Sequence, residues 1–146
     1  MIPADKRPIA PEILRESAIA HIAQAYFSIT KRLEQKTGCS ATRGFILSTL
    51  RSGAALNQNQ IAKLLGFDRT VVHRAIRGMI KEGLLTELKA DSGRALLLHL
   101  TAKGNKYREY LIKERRAVDE KLRKVVKPDG IAILIRLLDV AAALEI

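Results

Sequence analysis

The chain has 146 residues, a typical size for one domain, and its 47% hydrophobic but only 4% aromatic residues predict an aliphatic core. No apolar run approaches the roughly 20 residues that span a bilayer, no signal peptide is evident, and the lone Cys39 excludes an intramolecular disulfide, so we expect a cytoplasmic protein. The net charge of +11 favours a polyanionic partner such as nucleic acid, although excess basic residues can also serve solubility alone. That charge is spread evenly along the chain.

Two helices are predicted in the first third of the chain. Pro8 and Pro11 punctuate an extended arm, and Pro11 suits the first turn of a helix of about 25 residues that ends at Gly38. Apolar residues recur along it at helical spacing. Ser40 is a suitable N-cap for a second helix, which Gly53 would end. The apolar residues of this second helix are Phe45, Ile46, Leu47 and Leu50.

A short helix over residues 57–66 and a longer one from the N-cap Asp68 to Gly83 are predicted next. At 100° per residue the longer helix has two distinct faces. The apolar face holds Val71, Val72, Ala75, Ile76, Met79 and Ile80, and the polar, cationic face holds Arg69, Thr70, His73, Arg74, Arg77 and Lys81. A helix of this kind packs on one side and fits a DNA major groove with the other.

The period then changes from helical to extended. Residues 84–88 and 96–100 are predicted strands, and the Asp, Ser and Gly of residues 91–93 supply the turn of a hairpin. Thr101 caps a long helix that residues 127–130 break, and a final helix follows over residues 131–144. That last helix is apolar on most sides and must be buried. A second copy of the chain is its simplest cover, and burial within one chain is the alternative.

The sequence therefore predicts a mainly α fold with a small β-hairpin wing: a winged helix-turn-helix with N- and C-terminal dimerisation helices. We expect one cooperative unit. Residues 1–38 and 104–146 would form the helical dimerisation lobe, and residues 39–103 the DNA-binding lobe.

Residues 60–74 and 81–85 resemble the MarR family of bacterial transcriptional regulators. The matching features are a short helix ending in Leu65-Gly66, an Asp68-Arg69-Thr70 cap, an arginine-bearing recognition helix and a Gly83-Leu84 exit. Residues 100–104 are similar to the Leu-Thr-x-x-Gly that follows the family's wing. The recognisable motifs cover roughly residues 40–104, and the flanking helices match only in position and length.

The resemblance implies a homodimer whose recognition helices enter successive major grooves of a near-palindromic operator while the wings touch the minor groove. It also implies a cavity between the lobes for a small anionic or phenolic effector, typical of a ligand-responsive repressor. Two departures stand out. Ser92 stands where the family's wing usually has Asp, and Arg77 stands where many members have an acidic residue.

Candidate DNA contacts follow from these elements. Arg74 and Arg77 would reach guanine edges or phosphates, and Arg94 at the wing tip would enter the minor groove. Further phosphate or base contacts are expected near the two helix starts, although an ordinary capping role explains Asn57 equally well. These further candidates are Asn57, Gln58, Asn59, Arg69, Thr70 and His73.

Candidate effector contacts are His21, Tyr26 and Arg43, polar residues in or beside apolar helices, for which ordinary structural hydrogen bonds are the alternative. Cys39 precedes the second helix, and redox sensing by it would need a partner thiol from another subunit.

We expect no enzyme, metal site or cofactor, because the sequence has no glycine-rich phosphate loop, metal-spaced Cys/His cluster or nucleophile elbow. The competing hypotheses are a winged-helix module that binds protein or RNA, and a basic protein of membrane surfaces. A salt titration of duplex binding separates the first from a DNA regulator, and liposome co-sedimentation tests the second.

Overall fold

The computed structural model describes residues 16–50, 55–91, 93 and 96–145. Within these ranges the elements are α1 (Ala18–Thr37), α2 (Ala41–Thr49), α3 (Gln58–Leu65), α4 (Arg69–Lys81), β1 (Leu85–Lys89), β2 (Leu96–Leu100) and α5 (Ala102–Ala142). The chain forms two compact units, one up to Ala41 and one from Thr42 onward.

The first unit contains α1, which begins later than the sequence predicts. Ser17 has extended dihedral angles, and its Oγ accepts a hydrogen bond from the Ala20 N–H at 3.2 Å. A residue in this conformation cannot continue a helix, so the prediction of one helix from Pro11 to Gly38 was wrong in its start. The predicted end is confirmed, because Gly38 adopts the left-handed conformation that closes α1. Pro8 and Pro11 lie outside the described residues.

The core of the second unit is aliphatic, as the composition predicts. Helix α2 buries Ile46, Leu47 and Leu50 just before the chain leaves the described range, and the predicted stop at Gly53 lies outside it. The other fully or nearly fully buried apolar residues of α3, α4, the hairpin and α5 are Ile61, Ala62, Val72, Ile76, Met79, Leu84, Leu85, Leu98, Leu111 and Ile131.

The hairpin pairs β1 and β2 antiparallel, with Leu85 opposite Leu100 and Lys89 opposite Leu96. The first strand starts one residue later than predicted, because the Leu84 N–H donates to the Met79 carbonyl at 2.9 Å and completes the exit from α4. The chain before α3 adds a single bridge to the hairpin's other edge, in which the Leu98 N–H donates to the Leu56 carbonyl at 2.9 Å. The start of α3 is thus tied directly to the wing.

The junction between the wing and α5 depends on Thr101 and Gly104. The Thr101 Oγ1 accepts the Gly104 N–H at 2.9 Å as a helix cap and donates to the Gly83 carbonyl at 2.6 Å. Gly104 lies against the backbone of Leu84, and a Cβ at this position would overlap the Leu84 carbonyl oxygen. This close approach gives the Leu-Thr-x-x-Gly motif its physical reason.

Helix α5 is interrupted where the sequence predicts. Lys127 has φ 63° and ψ 160°, outside the helical region, so α5 consists of two helical segments over residues 102–126 and 128–142. The residue before a proline is sterically disfavoured from the α region, which explains the position of the break. Among the described residues, no helix is both long and apolar enough to cross a bilayer.

Apolar side chains of the second α5 segment lie exposed in the single chain. Ile133 is 59% exposed and Leu137 is 62% exposed, and the other exposed large apolar residues near this end are Leu134, Ile135, Leu138, Val140 and Leu144. Exposed apolar residues at adjoining positions along a helix are typical of an association surface.

Candidate nucleic-acid interface

Helices α3 and α4 form a helix-turn-helix whose turn is the segment Gly66, Phe67 and Asp68. Gly66 has φ 65° and closes α3, and the Asp68 side chain caps α4. Its Oδ1 accepts the N–H groups of Thr70 at 2.8 Å and Val71 at 3.2 Å. These backbone bonds, from Val71 and then Thr70, lower the pKa of the Asp68 carboxyl because they favour its charged form.

Helix α4 separates a buried face from a cationic one. Val72, Ile76 and Met79 are buried at helical spacing, which fixes the rotation of the helix against the core. All six residues of the predicted cationic face are exposed, namely Arg69, Thr70, His73, Arg74, Arg77 and Lys81. The helix contains no acidic residue. Its outer surface therefore presents guanidinium, ammonium and hydroxyl donors from one rigid element.

Val71 corrects the predicted apolar face. It was expected to pack inward, but it is 47% exposed and lies at the edge of the cationic face. The reason is geometric, because three residues at positions 72, 76 and 79 already fill the contact with the core. An exposed apolar side chain in the first turn of such a helix suits contact with a thymine methyl group.

Two hydrogen bonds connect the side of α4 nearest the hairpin to its neighbours. The His73 Nδ1 lies 3.0 Å from the Gln58 Oε1 on α3, and the Arg77 Nη1 lies 3.5 Å from the Glu87 Oε2 on β1. His73, Gln58 and Glu87 also line one open hollow of about 440 Å³ between the start of α3 and the hairpin. Glu87 was not identified from the sequence. The feature that could have identified it is its position as the acidic residue of a strand that directly follows a cationic helix.

The three predicted contacts at the start of α3 have different surroundings. Asn57 forms a capping box, in which its Oδ1 accepts the Gln60 N–H at 2.9 Å and its own N–H donates to the Gln60 Oε1 at 2.8 Å. Gln58 bonds His73, and Asn59 is exposed. The cap occupies the Asn57 side-chain oxygen, while its amide group remains available to a phosphate.

The predicted wing contact, Arg94, and the neighbouring Ser92 lie outside the described residues. The hairpin that carries them is described up to Asp91 and again from Leu96, with Gly93 exposed between them. Its antiparallel register places the Lys89–Leu96 pair at the end of the hairpin remote from α5.

The three predicted effector residues occur in the two separate units. On α1 the His21 Nδ1 donates to the Ser17 carbonyl at 2.8 Å, and Tyr26 packs edge-to-face on Phe27 with ring centroids 5.6 Å apart. On α2 Arg43 forms an ion pair with Glu82 at the end of α4. Local partners therefore exist for each side chain, and their role in binding an effector stays a prediction.

Cys39 is buried beside its own backbone, with Sγ 3.5 Å from the Ser40 carbonyl oxygen. In the described part of the chain, no group of three or more His, Cys, Asp or Glu residues is arranged to hold a metal ion.

These features define a winged helix-turn-helix protein with a cationic outer face on α4. No family model matches the sequence, and no curated protein sequence matches it. Solved structures do match. The MepR–DNA complex of S. aureus has a TM-score of 0.78 at 17% identity, covering 90% of this chain and 99% of that one.

Two further regulators agree with this result. BpsR of Bordetella bronchiseptica, described with regulation of its DNA binding by 6-hydroxynicotinic acid, has a TM-score of 0.79 at 18% identity over 93% of this chain and 100% of its own. Wild-type MarR from E. coli, in its apo form, has a TM-score of 0.69 at 20% identity over 92% and 98%. The chain therefore has the fold of the MarR-type regulators.

Proposed function

We propose that this chain is a transcription regulator of the MarR family that binds double-stranded DNA as a homodimer. The observation that carries the proposal is the outer face of α4, which exposes Arg69, Arg74, Arg77 and Lys81 without an acidic residue on the helix. The opposite face is locked by buried residues, so the donors project from a fixed element. Rigid donors of this type form bidentate hydrogen bonds to guanine edges and charge-assisted bonds to phosphates.

The contacts divide by position. Thr70 and Arg74 lie at the centre of the outer face and would contact base edges in the major groove, with Arg77 beside them. Arg69 and, around the start of α3, Asn57 and Asn59 would contact phosphates, while Gln58 bonds His73. Arg94 would enter the minor groove from the wing, where a narrow A·T tract concentrates negative potential.

The homodimer is supported by the second segment of α5. Ile133 and Leu137 are more than half exposed in one chain, and a helix apolar on most sides is stable in water only when covered. A second copy covers it symmetrically. A two-fold axis then sets two recognition helices about one DNA turn apart on a near-palindromic operator.

We also propose that the chain is a cytoplasmic repressor and that a small anionic or phenolic effector controls its binding to the operator. The support is the fold shared with BpsR, whose DNA binding is regulated by 6-hydroxynicotinic acid. The candidate contacts are His21, Tyr26 and Arg43, the polar residues that the sequence places in or beside apolar helices.

Selection of bound duplexes from a random pool, without effector, tests the function. We expect one enriched near-palindromic sequence whose half-sites lie about 10 base pairs apart. The affinity for it should fall steeply with salt, with a logarithmic slope of about −0.9 for each neutralised phosphate. No enrichment, together with salt-independent binding of protein or RNA, would refute the proposal.

A further inference from the structure

The hydrogen bond between His73 and Gln58 determines which ring nitrogen of His73 carries a proton. The His73 Nδ1 lies 3.0 Å from the Gln58 Oε1, and an amide oxygen only accepts hydrogen bonds. Nδ1 is therefore the protonated nitrogen. In the neutral ring Nε2 is then an acceptor, and in the part of the chain that the structure describes this nitrogen makes no hydrogen bond.

Gln58 is held firmly enough to position the ring. It is the first residue of α3, directly after the Asn57–Gln60 capping box, and the preceding Leu56 is bonded to Leu98 of the wing. The hydrogen bond thus joins α3 to α4, and the Leu56–Leu98 bridge connects the start of α3 to the hairpin.

The charged groups around His73 come from two elements. On α4 itself Arg69 and Arg77 lie one turn before and one turn after it, and β1 contributes Glu87 across the shared hollow. The described residues of α3 that line this hollow are neutral, and so are those of β2. The ring therefore lies between cations on its own helix and one carboxylate on the wing.

We infer that Gln58 is a positioning residue for His73 and that His73 contacts DNA as an imidazolium, so that operator binding takes up a proton. The inference rests on the proposed function. Phosphate oxygens and guanine N7 and O6 are all hydrogen-bond acceptors. In the neutral tautomer that Gln58 selects, the His73 Nε2 is an acceptor too, so it cannot form a hydrogen bond with any of them. A proton from solvent on Nε2 converts it to a donor. The Nδ1–H bond to Gln58 is kept in both states.

The sign of the pH effect follows from this balance. In the inferred complex each subunit holds a proton on Nε2, so affinity rises as pH falls wherever the free ring does not already carry that proton. One proton gives at most about a tenfold change in affinity per pH unit for each subunit.

The test is the dissociation constant of the selected operator between pH 6 and pH 8.5 at constant ionic strength. The dimeric wild type, with one such proton on each subunit, should bind about ten- to hundredfold more weakly per pH unit at its steepest. His73→Gln should bind with most of this dependence removed. Gln58→Glu keeps the acceptor for Nδ1–H and adds a negative charge beside the ring, so it should move the pH dependence of binding to higher pH. The control Asn59→Asp adds the same charge at a residue without a bond to His73, and it should move the pH dependence less.

Double variants and nuclear magnetic resonance complete the test. Gln58→Ala and His73→Gln should lose similar affinity, and the double variant should lose little more. Additive losses with an unchanged pH profile in Gln58→Glu would instead assign Gln58 to a direct phosphate contact and overturn the inference. ¹⁵N long-range spectra of the free protein should show His73 protonated at Nδ1, and the opposite tautomer would also overturn it. Because those spectra need no DNA, they decide the positioning role even if no duplex is bound.

Discussion

The Arg77 guanidinium on the recognition helix lies 3.5 Å from the Glu87 carboxylate on the first wing strand. Arg77 remains 60% exposed, whereas Glu87 is 26% exposed and anchored by its strand. The pair therefore restrains a cation of the outer face of α4 from the protein side. Because it is exposed, the pair contributes little to folding, and its effect should appear in the choice between operator and random DNA.

Glu87→Gln removes the carboxylate that competes with phosphates for Arg77. We expect binding to random duplex to tighten about two- to fivefold, in line with an exposed ion pair, while operator binding gains less. Fluorescence anisotropy on both duplexes measures the ratio. Glu120→Gln makes the same change in charge at an exposed position of α5, and an equal gain there would assign the effect to net charge alone.

Arg74→Ala should weaken operator binding by about 1–3 kcal/mol and relax the preference at one base position, because a bidentate base contact is lost. The association state should not change. The matched control is Arg123→Ala, which removes an exposed arginine from α5. Equal losses of affinity in the two variants would contradict a specific role for Arg74.

Gly104→Ala should destabilise the protein by about 3 kcal/mol or more, because the new methyl group overlaps the Leu84 backbone, which cannot move without opening the hairpin. Gly78→Ala is the control, since no atom lies within 4 Å of its added Cβ and alanine is the better helix former. That variant should be stabilised by about 0.5–1 kcal/mol. Urea denaturation followed by circular dichroism compares the two, and a neutral Gly104→Ala would show that the close approach is not rigid.

Asp68→Asn keeps a side chain that can cap α4 but replaces the ionisable carboxyl with a neutral amide. The cap's backbone bonds hold the pKa of the wild-type carboxyl below its ordinary value of 3.8, so the charged form stabilises the fold at neutral pH. This contribution is present above pH 3.8 and is lost as pH falls through the lower pKa of the folded state. Thermal melts of both proteins should therefore converge as the solution is acidified. A constant difference at all pH values would contradict the assignment.

Leu137→Glu places a charge on the exposed apolar surface of α5 and should convert the proposed dimer to a monomer at micromolar concentration, with little effect on the fold of one chain. Sedimentation velocity measures the change. Leu64→Glu, at a leucine of α3 that is 67% exposed, is the control and should stay dimeric. A dimeric Leu137→Glu variant would place the interface elsewhere.

Helix ends and the recognition helix could be predicted because their causes are local in sequence. Gly38, Gly66, Asp68 and Thr101 each act within one turn of their own position, and the structure confirms all four as caps. The spacing of Val72, Ile76 and Met79 likewise fixed the cationic face of α4 without knowledge of its neighbours.

The missed features depend on contacts between distant segments. The Leu56–Leu98 bridge is a single backbone pair, which leaves no periodic pattern in the sequence. The role of Glu87 requires knowing that β1 folds back beside α4, and the exposure of Val71 requires knowing how many side chains the core accepts. Ser17 is the exception, since its capping bond to Ala20 is local, but the continuous apolar spacing around it concealed the break.

Lys127 divides α5 into two pieces joined by a single non-helical residue. An unbroken helix transmits rotation along its whole length through its ladder of backbone bonds, but a helix with one such joint does not. Substitutions that remodel the apolar end of α5 can accordingly accumulate without disturbing the segment that supports the wing. The two tasks proposed for the chain, pairing with itself and contacting DNA through α4, can in this sense change independently.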